Sequence, residues 1–212
     1  MVRRAAVVLA GLLAAPSTAL SAQDVSTLPV PRFEVSAGYA FLSDQRAFTH
    51  SGSTAFPKGW YASGAFNSTE SFGFVGEVSG SHRSNLEFSA YAGGGAHSTI
   101  STDVRYYTAL AGARFLHKIR RAVPFFQVLA GVGRLHTEET GWPAERGGTR
   151  VYGETRFAIQ PGVGATVSLT ENVGVRFAAD FRSMIYFADG EENNYDNALR
   201  VIGGFTLQWG ER

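Results

Sequence analysis

The sequence predicts an all-β protein, an eight-stranded antiparallel up-and-down transmembrane β-barrel. Three observations predict it. From Arg32 to Trp209 apolar residues alternate with polar or small ones at a period of two, and no stretch sustains a helical period. The segments between these runs are alternately short and long. Charged residues make up 17% of the 212-residue chain, against about a quarter in an ordinary soluble protein, which leaves too little charge for a fully water-facing surface.

Composition also excludes some classes. The chain has no cysteine, hence no disulfide framework and no thiolate chemistry. Its formal net charge is +1, so no basic field points to nucleic acid.

Residues 1–22 read as an export signal. Arg3 and Arg4 precede an apolar run from Ala5 to Ala15, and Pro16 leads into the small-residue stretch Ser17 to Ala22. The run is shorter than the roughly 20 residues that cross a bilayer as a helix, so cleavage is expected near Ala19 to Ala22. Residues 23–31 then form a polar periplasmic leader, 32–209 the barrel and 210–212 a short tail.

The strands follow in order. The first, Arg32 to Leu42, sets Phe33, Val35, Ala37, Tyr39 and Phe41 against Glu34, Ser36, Gly38 and Ala40. The second, Gly59 to Phe66, aligns Trp60, Ala62, Gly64 and Phe66, and the third, Phe72 to Gly80, aligns Phe72, Phe74, Gly76 and Val78. The fourth, Val104 to Phe115, places Tyr107, Ala109, Ala111, Ala113 and Phe115 outward and Leu110 and Arg114 inward. The fifth, Val123 to Leu135, opposes Phe126, Val128, Ala130 and Val132 to Gln127, Gly131 and Gly133. In the sixth, Val151 to Leu169, Phe157, Ile159, Pro161 and Val163 oppose Glu154, Arg156, Gln160 and Gly162. The seventh, Val173 to Arg182, opposes Val175, Phe177, Ala179 and Phe181 to Arg176, Asp180 and Arg182, and the eighth is Leu199 to Trp209.

The connections Asn67 to Ser71, Leu116 to Ala122 and Thr170 to Asn172 are short, whereas Ser43 to Lys58, Ser81 to Asp103, His136 to Arg150 and Ser183 to Asn197 are long and polar. Short periplasmic turns and long extracellular loops are the asymmetry of outer-membrane barrels. Alternation alone does not say which face points out, and a soluble barrel with an apolar interior shows the same period. Two features favour lipid outside. The polar face is built of glycine, serine, glutamine and paired charges such as Arg176 with Asp180, rather than lysine and glutamate. The outward aromatics gather into two girdles, Phe33, Phe66, Phe72, Phe115, Phe126 and Trp209 at the periplasmic rim and Phe41, Trp60, Tyr107 and Phe181 towards the other.

Pro124-Phe125-Phe126 with Gly131-Val132-Gly133, Gly162-Val163-Gly164 leading into Leu169-Thr170-Glu171-Asn172-Val173, the run Val175 to Arg182, and a closing strand that ends in an aromatic together resemble the small OmpA/OmpX-like outer-membrane β-barrel domains. The resemblance covers essentially the whole chain after residue 22. It implies a place in the outer membrane, assembly by the barrel-insertion machinery, and contact with outer-membrane lipid and lipopolysaccharide. The chain departs from the pattern in continuing past Trp209 through Gly210-Glu211-Arg212.

An eight-stranded barrel has a lumen just wide enough to be filled by side chains, which argues against a general porin. Ten charged residues are expected to face it as an internal salt-bridge network: Glu34, Glu77, Arg114, Arg134, Glu154, Arg156, Arg176, Asp180, Arg182 and Arg200. The function expected is structural and interactive, holding the outer membrane and presenting loops to an extracellular ligand, with no enzymatic activity and no cofactor. A lipid A-modifying enzyme and a narrow, weakly conducting channel are the alternatives. The five histidines, His50, His82, His97, His117 and His136, fall in loops, turns or strand ends, with no adjacent serine placed for acyl transfer. The loop Asp189 to Asp196 is rich in oxygen ligands but lacks EF-hand spacing, and the basic turn His117 to Arg121 is suited to lipid phosphates. Leu86 to Ser101 keeps enough alternation to extend its flanking strands into a protruding hairpin with adhesive edges.

Overall fold

The computed structural model describes residues 30–44, 55–92, 96–140, 149–185 and 195–210, with the side chains of 44, 85–98, 100, 195 and 196 left aside. The expected signal and most of the leader lie outside them. Nine strands form one sheet: β1 (Phe33–Asp44), β2 (Ala55–Phe56), β3 (Lys58–Asn67), β4 (Phe72–Ala92), β5 (Ala96–Leu116), β6 (Ala122–Thr140), β7 (Thr149–Ser168), β8 (Val173–Ile185) and β9 (Tyr195–Trp209). β2 is a two-residue offshoot of β3, separated from it by Pro57, which has no backbone N–H for a ladder. The other eight pair antiparallel in sequence order, and β1 pairs with β9 along twelve residues. The barrel is closed, so no edge is left open around its wall.

Stagger sets which residues meet inside. Leu42 on β1 pairs with Arg200, after which Asp180, Gly162, Gln127, Arg114, Gly73 and Asn67 follow from strand to strand. Asn67 then donates its backbone N–H to the Arg32 carbonyl at 2.8 Å. The circuit leaves β1 at Leu42 and comes back to Arg32, ten residues along. Pairing rows therefore climb round the wall as a spiral, the geometry of tilted strands in a closed barrel.

Both faces follow the expected alternation. Val35, Phe74, Val132, Val163, Phe177 and Phe205 are exposed on the outer wall, while Glu34, Glu77, Gln127, Gln160, Asp180 and Thr206 are buried inside. The turn end is tightly tied. Thr69 N–H reaches the Phe72 carbonyl, Ile119 and Ala122 exchange both backbone hydrogen bonds, and Asn172 bridges to Gln208. The leader's last residues are held there too: Val30 is buried, and Asn67 Nδ2 donates to the Pro31 carbonyl at 2.7 Å.

Two features differ from the expectation. Most of Ser81 to Asp103, read as a long loop with the option of a hairpin, is strand in β4 and β5, and β6 and β7 also run on. These four strands are 19 to 21 residues long, roughly twice the 9–11 that cross a bilayer. They stand up from one side of the barrel as a sheet. The lumen is also less polar than the alternation implied. Leu42, Tyr106, Leu110, Leu129 and Met184 form one buried apolar cluster, and Tyr61, Leu116, Val123, Phe125 and Ile202 belong to a second nearer the turn end.

Candidate functional site

The lumen holds one connected polar network. Arg200 is its centre: its Nη1 lies 2.7 Å from Glu77 Oε1 and its Nη2 2.7 Å from Asp180 Oδ2. Gln127 joins this centre to the turn end, donating to Asp180 Oδ1 at 3.2 Å and accepting from Arg176 Nη2 at 3.0 Å. Arg176 lies 4.0 Å from Glu34, which pairs with Arg114 and accepts from Asn67 Nδ2 at 2.9 Å. Towards the other end Gln160 donates to Glu77 at 3.3 Å and accepts from Arg182 Nε at 2.7 Å.

Four arginines face three carboxylates. The extra cation, Arg182, is held by Gln160, by Ser79 Oγ at 3.1 Å and by the Tyr106 ring 5.4 Å away. Arg176 likewise lies 4.0 Å from the Phe125 ring centroid. The guanidinium groups thus couple the polar network to both apolar clusters, since a flat cation packs well on an aromatic face. Glycines make the room. A Cβ on Gly162 would occupy the place of the Asp180 carboxylate, one on Gly204 would lie 2.7 Å from the Tyr61 hydroxyl, and one on Gly133 would lie 2.6 Å from Met184 Cε.

Of the ten charged residues expected inside, Glu34, Glu77, Arg114, Arg176, Asp180, Arg182 and Arg200 are buried and belong to this network. Glu154 and Arg156 keep the inward phase of β7 but pair with each other at 2.5 Å near the protruding sheet. Arg134 is a correction. It is exposed on the outer face of β6, two residues beyond Val132, because a period of two keeps it on the side of Val132. The pairing of Arg176 with Asp180 is also replaced: the stagger brings Arg200 to Asp180 and leaves Arg176 with Gln127 and Glu34. Sequence reading missed Asn67, Gln127 and Gln160 as connectors. The inward phase of Gln127 and Gln160 was legible and Asn67 was read into a turn, but neutral amides stand out only once the charges around them are placed.

All ten girdle aromatics lie on the outer face. Phe33, Phe41, Trp60, Tyr107, Phe115, Phe126, Phe181 and Trp209 are exposed, and Phe66 and Phe72 are half-buried. At the turn end the rings touch: Phe33 lies 5.4 Å from Phe66 and 6.1 Å from Trp209, and Phe72 lies 5.4 Å from Phe115. His82 and His136 fall on strands, each paired with Arg105, and His117 adjoins the turn end. His50, and with it most of the acidic loop Asp189 to Asp196, lies outside the described residues.

A closed eight-stranded barrel with an apolar outer wall and a filled, charged lumen is the architecture of small outer-membrane barrels. Solved structures of that class are similar to this chain. Ail, the attachment invasion locus protein of Yersinia pestis, aligns at a TM-score of 0.51 and 15% identity, over 85% of this chain and 99% of its own. Neisserial surface protein A aligns at 0.56 and 14% identity, over 84% and 97%. Ail has also been solved with the heparin analogue sucrose octasulfate. No protein-family model matches the chain. No curated protein matches it in sequence.

Proposed function

We propose that this protein is an outer-membrane barrel, exported by residues 1–22, that reinforces the membrane and displays β4 to β7 for surface interaction. The observation that carries this reading is the contrast between a wall that suits lipid and a sheet that outruns it. Beyond Phe157, which pairs with Ile185, β7 has no ladder partner on its β8 side among the described residues. The part of β4 to β7 that outruns the wall is where an incoming ligand or strand would be met. The attachment and surface proteins that share the fold agree with such a role. The aromatic rims serve as headgroup belts, and lipopolysaccharide and the insertion machinery are the partners within the membrane.

The filled lumen speaks against conduction, because the two apolar clusters and the arginine network occupy its cross-section. Replacing Leu86 to Ser101 by a short glycine-serine turn tests the surface role. Adhesion of cells carrying the protein is expected to fall, while the shortened barrel still shifts on a gel when boiled. Unchanged adhesion overturns the role of this sheet. A lipid A mass spectrum altered by the protein's expression overturns the non-enzymatic reading.

A further inference from the structure

The outer wall carries cations that the lumen network does not use. Lys58 pairs in register with His82, His82 with Arg105, and Arg105 with His136, and all four residues keep the outward phase of their strands. Arg134 sits two residues below His136, paired with Tyr107. Lys58, Arg105 and Arg134 form no ion pair among the described residues, and all three are exposed. Arg105 and Arg134 stand diagonally on adjacent strands, roughly 7–8 Å apart, and Lys58 lies two strands from Arg105, roughly 10 Å away. The three cations therefore span the width of a headgroup with more than one phosphate, bounded above by the outward-phase pair Asp103 and Glu138.

A groove of about 630 Å³ opens directly below it on the same four strands. Ala62, Val78, Ala109 and Val132 line its upper end, with Gly64 and Gly76 further down. From each of the four upper residues, the row of Lys58, His82, Arg105 and His136 lies four positions further along its strand. That is roughly 13 Å at the rise of a β-strand. A Cβ on Gly64 or Gly76 would meet nothing within 4 Å, so the floor is open. Cations above and an apolar trough below form the outline of an anionic lipid.

We propose that the outer wall of β3 to β6 binds one phosphate-bearing glycolipid of the lipid A class, its phosphate groups shared among Lys58, Arg105 and Arg134 and one acyl chain in the groove. This rests on the reading of the protein as an outer-membrane barrel. The hydroxyl of Tyr107 and the imidazoles of His82 and His136 add hydrogen-bonding groups around the anion. A second copy of the chain suits the surface less well, since two such rows would face each other with like charge.

The test uses the full chain refolded in detergent and moved into phosphatidylcholine vesicles that carry diphosphorylated lipid A, its dephosphorylated form, or neither with inorganic phosphate added. Native mass spectrometry of the re-extracted barrel reads the lipid retained. One lipid A per barrel is expected, with the dephosphorylated form lost. The triple variant Lys58→Gln/Arg105→Gln/Arg134→Gln should lower retention roughly fivefold for each cation removed. Gly76→Leu, whose Cβ meets nothing within 4 Å and whose side chain is directed into the groove, should lower it while the barrel stays folded. Equal retention of both lipid forms, an unchanged triple variant, a dimer in place of the lipid adduct, or inorganic phosphate raising the melting temperature as much as lipid A would each overturn the proposal. Extraction of the chain from vesicles by carbonate would instead remove the membrane reading itself.

Discussion

The lumen and the outer rim use the same residue types under opposite conditions. Inside, Arg200 is fully buried and shared between Glu77 and Asp180 at 2.7 Å each. Outside, Arg105 and Arg134 are exposed and make no ion pair among the described residues. The difference teaches that a charged residue in this barrel is structural or available according to the phase of its strand. A buried charge is tolerated only where its partners are fixed, whereas an exposed one contributes little to stability and stays free to meet a ligand.

The most severe way to break the contrast is to exchange two adjacent residues, Arg200→Val with Val201→Arg. Composition stays the same, yet an arginine then faces lipid beside Phe41 of the outer girdle, at a cost of about 0–1 kcal/mol near that interface. Glu77 and Asp180 meanwhile lose their shared cation, at a cost of about 3–5 kcal/mol. No folded barrel is expected, and the band that shifts on boiling should be absent. Asp180→Ala is less drastic, leaving Arg200 with Glu77 alone. A loss of about 3–5 kcal/mol should appear in urea unfolding followed by tryptophan fluorescence.

Gly162→Ala tests the space that holds this network. Its methyl group collides with the Asp180 carboxylate, so a destabilisation of about 1–3 kcal/mol is expected. The same substitution should cost distinctly less in an Asp180→Ala background, and additive losses in the double-mutant cycle would refute the collision. The smallest effect belongs to the rim: Lys58→Gln, Arg105→Gln and Arg134→Gln should each change unfolding free energy by less than about 0.5 kcal/mol. A larger loss would mean that these cations are structural after all.

Much of the wall was legible in the chain. Phe33 to Phe41 and Val173 to Phe181 alternate without a break, and their outer and inner faces lie where the period puts them. The ends were harder to read. His82 and His136 look like loop polarity until β4 and β6 are seen to continue through them and bring them beside Arg105 of β5. Arg134 looks like a lumen charge by type and belongs to the outside by phase. The apolar clusters were hidden for the complementary reason: Leu110, Leu129 and Met184 carry no polar mark, and on the inward phase of three different strands they show their contact only when the sheet closes.

By itself the sequence determined the period, the number of crossings and the side of the sheet on which each residue falls, because backbone geometry alternates side chains whatever surrounds them. Only the tertiary structure decided the partners. The ten-residue stagger carries each pairing row up the wall as a spiral, so Arg200 meets Asp180 and Glu77, and Arg114 meets Glu34 across eighty positions of chain. The same spiral lines up Lys58, His82, Arg105 and His136 on four strands. Register is a property of the closed cylinder, fixed by how all eight strands fit at once, and no single strand encodes it.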